Sequence, residues 1–301
     1  MTKKYILTIL ATAFCLISMA QDDLKLNLDS IATSGLEKGI PGIQVIISDS
    51  KGYTIYNYGH HEIEKTTEVN DSTRWRYGSI TKVFTAVMIL QLESEGKLSI
   101  DDSVTKYIDL KQHNAAGITI KHLLNHSSGL YNYTASKKLK WEDTPNLCLE
   151  NSLKRKLNFT PGSKYDYCNT GYVILGLIIE KITAQSYQQN ITERIFKPCG
   201  LESMIYCSDD KIPFNTARGY KIKHNKYTDF TEIDHSWANS AGAVLGNLTD
   251  LNKFVDCLFK GNLIDSSQLK KMISPTIIYR DLNADGMEWF YHGVGLCWDL
   301  N

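Results

Sequence analysis

From Ser79 to Glu95 the chain reads Ser-Ile-Thr-Lys-Val-Phe-Thr-Ala-Val-Met-Ile-Leu-Gln-Leu-Glu-Ser-Glu, with no glycine or proline inside and Gly96 directly after it. Val83, Phe84, Ala86, Val87, Ile89, Leu90 and Leu92 leave no wide polar face, so this segment is a helix that belongs in the middle of a core. A lysine at its start, Lys82, is therefore drawn into the apolar interior, where a charge is costly unless it has a task or a partner.

The surroundings of this helix set the fold class. Leu26, Leu28, Ile31 and Leu36 recur at helical spacing between Leu24 and Lys38, and Gly39 ends the pattern. Two β-rich runs, Gly42–Ser48 and Tyr53–Tyr58, flank Asp49-Ser50-Lys51-Gly52, a hairpin signal. Helices are expected at Ile120–His126, Leu147–Leu157, Tyr172–Thr183, Tyr187–Phe196, Leu251–Phe259 and Ser267–Ile273, and strands near Gly219–Tyr227 and Val294–Trp298. The pattern is α/β in the α+β sense: an antiparallel sheet flanked by helices, with a large helical region in the middle of the chain.

The N-terminus carries Lys3-Lys4, an apolar run from Tyr5 to Met19, and small residues at Ser18 and Ala20 before Gln21-Asp22-Asp23. These are the three parts of a secretory signal peptide, expected to be cleaved after Ala20, which leaves one domain over 21–301 in the periplasm or outside the cell. The run is shorter than the roughly 20 residues of a membrane-spanning helix, and Phe14 before Cys15 does not fit a lipoprotein site. The mature chain is expected to have no membrane span. Lysine plus arginine equals aspartate plus glutamate at 33 each, so no bulk field draws the protein to nucleic acid. Six cysteines follow the leader (Cys148, Cys168, Cys199, Cys207, Cys257 and Cys297) at irregular spacing, and the spacing assigns no disulfide.

Ser79 and Lys82 are three apart, which on a helix puts hydroxyl and amine on one face. A desolvated lysine loses basicity until it can accept a serine proton near neutral pH, and the helix N-terminus supplies N–H groups for a developing oxyanion. His122 and His126 have the spacing of a metal pair, but no glutamate follows His122 and no third ligand is evident. No metal and no cofactor is implied.

Tyr77-Gly78-Ser79-Ile80-Thr81-Lys82-Val83-Phe84-Thr85-Ala86, followed by Leu92 to Asp102, resembles the nucleophile helix of the β-lactamase-related serine hydrolases, whose hallmark is Ser-x-x-Lys. Ile118 to Leu130 is similar to a second segment of that family, and Pro161-Gly162 through Tyr167-Cys168-Asn169 to Tyr172 to a third. The resemblance implies a β-lactamase/transpeptidase-like fold and an acyl-enzyme mechanism on a small-molecule or peptide substrate: D-amino-acid peptides, β-lactams or short esters. It implies Tyr167 as a phenol sharing proton transfer, in which a phenolate beside an ammonium can act as base. It also implies Asn169 as a ligand of both the substrate amide and the lysine, and His126 as a structural residue.

The family's late Lys-Thr-Gly or His-x-Gly element has no counterpart: His292-Gly293 has its glycine one place early, and Tyr291 to Trp298 is more like the strand that precedes that element. The expectation is therefore a domain lacking its closing strands. The alternative function is a catalytically impaired protein that binds peptides or β-lactams without turnover.

Overall fold

The computed structural model describes residues 24–110, 117–136, 145–207, 212–224, 226–232, 236–282, 288–297 and 299–300. The signal-peptide expectation over 1–20 lies outside them. The chain forms two compact units, Met1–Asp71 and Ser72–Asn301.

In the first unit a helix, α1, covers residues 24–37, and the expected hairpin forms from β1 (Gly42–Asp49) and β2 (Gly52–Gly59). Its register pairs Ile46 with Ile55 and closes at Asp49 opposite Gly52. Asp49 stabilises that turn by accepting the Lys51 N–H at 2.7 Å, and Gly52 takes φ +142°, a conformation that disfavours a side chain. The Tyr58 hydroxyl donates to Asp29 at 2.8 Å and ties hairpin to helix.

The second unit begins with β3 (Arg74–Arg76), a 3-10 turn at Gly78–Ile80, and α2 (Thr81–Ser94). The α-helix thus opens at Thr81, two residues later than Ser79, because Gly78 adopts φ +51° to redirect the chain out of the strand. Phe84, Ala86, Val87, Met88, Ile89, Leu90 and Leu92 are fully buried, as the apolar run requires. Each large side chain of this kind contributes about 1.5–3 kcal/mol by leaving water. The helical region follows with α3 (Ile120–Leu124), α4 (Pro145–Leu153), α5 (Asn169–Thr183) and α6 (Tyr187–Ile191), the last continuing into a π turn at Thr192–Phe196.

Helix α5 begins at Asn169 rather than Tyr172. Asn132 accepts the Asn169 N–H at 3.3 Å and Thr170 donates to the Tyr131 carbonyl at 2.7 Å, so neighbouring chain satisfies groups that a free helix end would leave to water. Gly176 lets α5 approach residues 236–241 closely, since a Cβ there would lie 2.2 Å from the Ser240 hydroxyl.

β4 (Ile205–Tyr206), a hairpin of β5 (Tyr220–Lys223) and β6 (Lys226–Asp229), β7 (Val244–Asn247), α7 (Leu248–Phe259) and α8 (Ser266–Ile273) complete the middle of the chain. β7 pairs antiparallel with β3 on one side and β4 on the other. The α7 side chain Phe254 stacks on Phe84 with ring centroids 4.0 Å apart. A last meander contains β8 (Ile277–Leu282), β9 (Glu288–Val294) and β10 (Asp299–Leu300) in the order β10-β9-β8. The strand expected over Val294–Trp298 instead ends at Val294: Gly295 packs against the Met272 and Ser274 carbonyls and Cys297 turns to φ +77°, which breaks the extended run. Among the described residues no helix is long and apolar enough to cross a membrane.

Cys199 and Cys257 form a disulfide that the irregular spacing did not reveal, while Cys168, Cys207 and Cys297 are not disulfide-bonded. The bridge closes a separation of 58 residues between the end of the π turn and α7. Chain-entropy arguments give such a loop about 4 kcal/mol. Urea unfolding of the Cys199→Ser/Cys257→Ser protein is expected to show a stability loss of about 2–4 kcal/mol; an unchanged midpoint would show the bridge to be energetically silent.

Candidate active site

The turn at Gly78 leaves Ser79 exposed above the buried helix while Lys82, one turn on, is only 2% exposed. The Lys82 Nζ is 3.1 Å from the Ser79 Oγ and donates to the Ala241 carbonyl at 2.7 Å. Two neighbouring threonines fasten the same strip of chain: Thr81 accepts the Val244 N–H at 3.1 Å, and Thr85 donates to the Ser240 carbonyl at 2.7 Å. Asn239 stands at φ +41°, an unfavourable backbone for a non-glycine residue, and its Oδ1 accepts from the Ser240 N–H and the Tyr206 hydroxyl. That strained residue is what presents successive carbonyls to α2.

Tyr167 arrives from the other side. Its hydroxyl donates to the Ser79 Oγ at 2.7 Å, and its ring lies under the Lys82 Nζ at 5.0 Å. His126 holds this segment at two points: its carbonyl accepts the Asp166 N–H at 2.9 Å and its Nδ1 accepts the Cys168 N–H at 3.1 Å. The imidazole then packs against the Tyr167 ring at 4.4 Å. His126 has φ +58° and is buried. Burial, with the Lys82 charge adding to it, pushes its pKa down to about 3, which keeps it neutral and able to accept. His122 is committed elsewhere, its Nδ1 accepting the Thr119 N–H in the capping box of α3.

Asn169 is only partly where the resemblance places it. It stands beside the serine, but its Nδ2 donates to the Thr134 hydroxyl at 3.1 Å and makes no hydrogen bond to Lys82. The ammonium has its acceptor in Ala241 instead, and the 132–134 turn draws the amide away.

Burial pushes the Lys82 amine down to about 8, against a smaller opposing influence of the Cys297 and Cys168 thiols. Burial likewise raises Tyr167 above the ordinary phenol value, its hydrogen bond with Ser79 only partly offsetting this. Burial thus acts in opposite directions on the two groups of one desolvated site, while the phenol hydroxyl donates to Ser79. The Ser79 N–H has no acceptor among the described residues, and Ser79 lines a cleft of about 310 Å³ bordered by Gly78, Tyr133, Thr134, Asn169 and Trp237.

Two features of this site escaped the motif reading. The lysine's acceptor is a main-chain carbonyl, invisible to a motif, although Asn239-Ser240-Ala241-Gly242 is turn-rich sequence; and His126 mounts Tyr167 through main-chain bonds. The His292-Gly293 pair stands inside β9, opposite Tyr279 and Ile278.

The serine, lysine and tyrosine so disposed mark a class, the serine acyl-transfer folds. The beta-lactamase family model matches residues 27–301, and the chain belongs to that family. It is 28% identical over 286 residues to protein flp of Staphylococcus aureus strain MW2, covering 89% of this chain and 56% of that one. The chain thus spans little more than half of that relative's length. Among solved structures, a D-stereospecific amidohydrolase from Streptomyces sp. is similar with TM-score 0.73 and 28% identity, over 86% of this chain and 78% of that chain. The octameric penicillin-binding protein homologue from Pyrococcus abyssi is similar with TM-score 0.76 and 26% identity, over 92% and 65%.

The buried amine has a signed consequence for stability. Its folded pKa of about 8 lies below the unfolded value near 10.4, so between those values the unfolded chain binds more protons and stability rises with pH. Below pH 8 the full penalty, about 3 kcal/mol, is present. Lys82→Met removes that penalty but leaves the Ala241 carbonyl without its donor, at about 1 kcal/mol or more. Denaturant titrations at pH 7 are expected to find Lys82→Met more stable than wild type by about 1–2 kcal/mol, the gap closing toward pH 10.4. A less stable variant at pH 7 would refute the desolvated ammonium.

Proposed function

We propose that this chain is an exported serine hydrolase that works through an acyl-enzyme on D-amino-acid peptides and amides, β-lactams or short esters. The observation that carries this reading is the Ser79 Oγ, met at 2.7 Å by the Tyr167 hydroxyl and at 3.1 Å by the Nζ of a buried lysine. Neutral Lys82 takes the serine proton as Ser79 attacks the carbonyl, and the unclaimed Ser79 N–H steadies the oxyanion. The Tyr167 hydroxyl, which already donates to the Ser79 Oγ, passes its proton to the leaving atom and in the same step regains the one that Lys82 took, so that no phenolate is left behind. Water then repeats the sequence on the acyl-enzyme. Asn169 lines the cleft where an acyl amide would sit.

Likeness to the D-stereospecific amidohydrolase supports the D-amide end of the substrate range. The leader-like N-terminus and the Cys199–Cys257 bridge support export, since disulfides persist in oxidising compartments. The His292-Gly293 pair, whose glycine is one place early for a His-x-Gly element, supports the second reading, a protein that binds the same ligands without turnover. Losing one oxyanion donor costs about 10²–10³ in rate.

Intact-mass labelling with a fluorophosphonate separates the two. Covalent addition to the wild type, lost in Ser79→Ala and Lys82→Ala, is the expected result; a folded wild type that stays unlabelled supports the binding protein. Because the base acts unprotonated, kcat/KM is expected to rise with pH to a plateau with an apparent pKa near 8. Tyr167→Phe should lower the plateau by about 10²–10⁴ without moving that limb; a limb that disappears in Tyr167→Phe would make the phenol the base.

A further inference from the structure

One residue that borders the cleft beside Ser79 carries a cation that the mechanism does not use. Arg76, the last residue of β3, lines it together with Ser79, Asn169, Tyr133 and Trp237. The guanidinium is half-buried. Its Nη2 donates to the Thr231 carbonyl at 2.9 Å, it contacts the Cys207 thiol, and its buried Nε–H has no hydrogen-bond partner. Among the described residues no carboxylate pairs with it. A guanidinium has five N–H donors and stays charged at any working pH, so among the described residues this one is far from saturated and no carboxylate balances its charge. Burial without a counter-charge is unfavourable for the empty protein and becomes favourable when an anion arrives.

The position of the cleft says which part of a substrate would reach it. The departing atom must leave beside the group that protonates it, and that group is Tyr167, with Lys82 behind. Neither lines the cleft, whereas Ser79 and Asn169 do. The acyl portion therefore faces the cleft and the leaving group faces Tyr167, which is 37% exposed on the open side. Tyr133 and Trp237, with ring centroids 6.2 Å apart, offer an aromatic wall for the apolar part of such an acyl group.

Resting on the serine-hydrolase reading above, we propose that Arg76 is an anion receptor of the acyl pocket and that the preferred acyl donors carry a carboxylate on the acyl side. The arginine holds the substrate and takes no part in bond making.

Two esters isolate the charge: 4-nitrophenyl hydrogen glutarate and its neutral near-isostere, 4-nitrophenyl 4-carbamoylbutanoate. A charge-assisted hydrogen bond is expected to give the wild type a preference for the glutarate of about 10- to 100-fold in kcat/KM. Arg76→Gln should bring the ratio to about one, and Arg76→Lys, which keeps the charge without the fork, should lie between. The same pair bound to Ser79→Ala, followed by tryptophan fluorescence, reads the preference without turnover, so a failure of catalysis does not hide it. A wild-type or Ser79→Ala ratio near one overturns the proposal even if Arg76→Gln does not fold. So does a preference that survives in folded Arg76→Gln. Fluorophosphonate labelling of a wild type that shows no glutarate preference would leave the hydrolase standing and remove only the receptor.

Discussion

The hydrogen bond from the Lys82 ammonium to the Ala241 carbonyl, made inside an otherwise apolar helix packing, is the constraint on which the site depends. The helix is buried because its side chains leave it no other place, and its first turn takes the lysine with it. An ammonium so placed would be prohibitive without an acceptor. Ala241 supplies one, and the 2.7 Å contact fixes the amine where it also reaches Ser79. The burial that costs stability lowers the amine to about 8, where it can act as a base. Stability and chemistry are opposed at this one nitrogen.

The support for that contact is itself strained. Asn239 holds a backbone conformation at φ +41° that few non-glycine residues adopt, and Thr81, Lys82 and Thr85 together hold residues 240–244 against α2. Across the serine, His126 at φ +58° does the equivalent for Tyr167. Two unfavourable backbone conformations thus flank the nucleophile, each maintained by several hydrogen bonds from rigid elements. Such support from rigid elements is what fixes the relative positions of the three side chains.

Much of this was legible in the residues. The apolar run of α2, the hairpin around Asp49 to Gly52 and the Ser79-x-x-Lys82 spacing follow from local periodicity and turn chemistry, which are short-range properties. What was hidden is long-range. The Cys199–Cys257 bridge joins residues 58 apart, the acceptor of Lys82 lies 159 residues downstream, and no pattern of residue types announces a main-chain carbonyl. Helix ends were misjudged where neighbouring chain supplied the caps, as Asn132 does for α5. Asn169 was displaced from its expected bond to the lysine for the same reason: a motif records which residues are near the site, and the surrounding turn decides where their donors point.

The division of labour between lysine and tyrosine follows from one environment acting on two opposite charges. Desolvation favours whichever form is neutral, so it makes an amine a better proton acceptor at working pH and makes a phenol a better proton holder. Tyr167 could become a phenolate only if Lys82 stayed charged and close to its oxygen, but the ammonium lies over the ring face at 5.0 Å and its short bond goes to Ala241. The phenol oxygen is occupied by Ser79. In the proposed mechanism the lysine would take the serine proton on the inner side and the tyrosine would deliver one on the exposed side. The acyl group of the proposed reaction would then face the cleft that Arg76 borders.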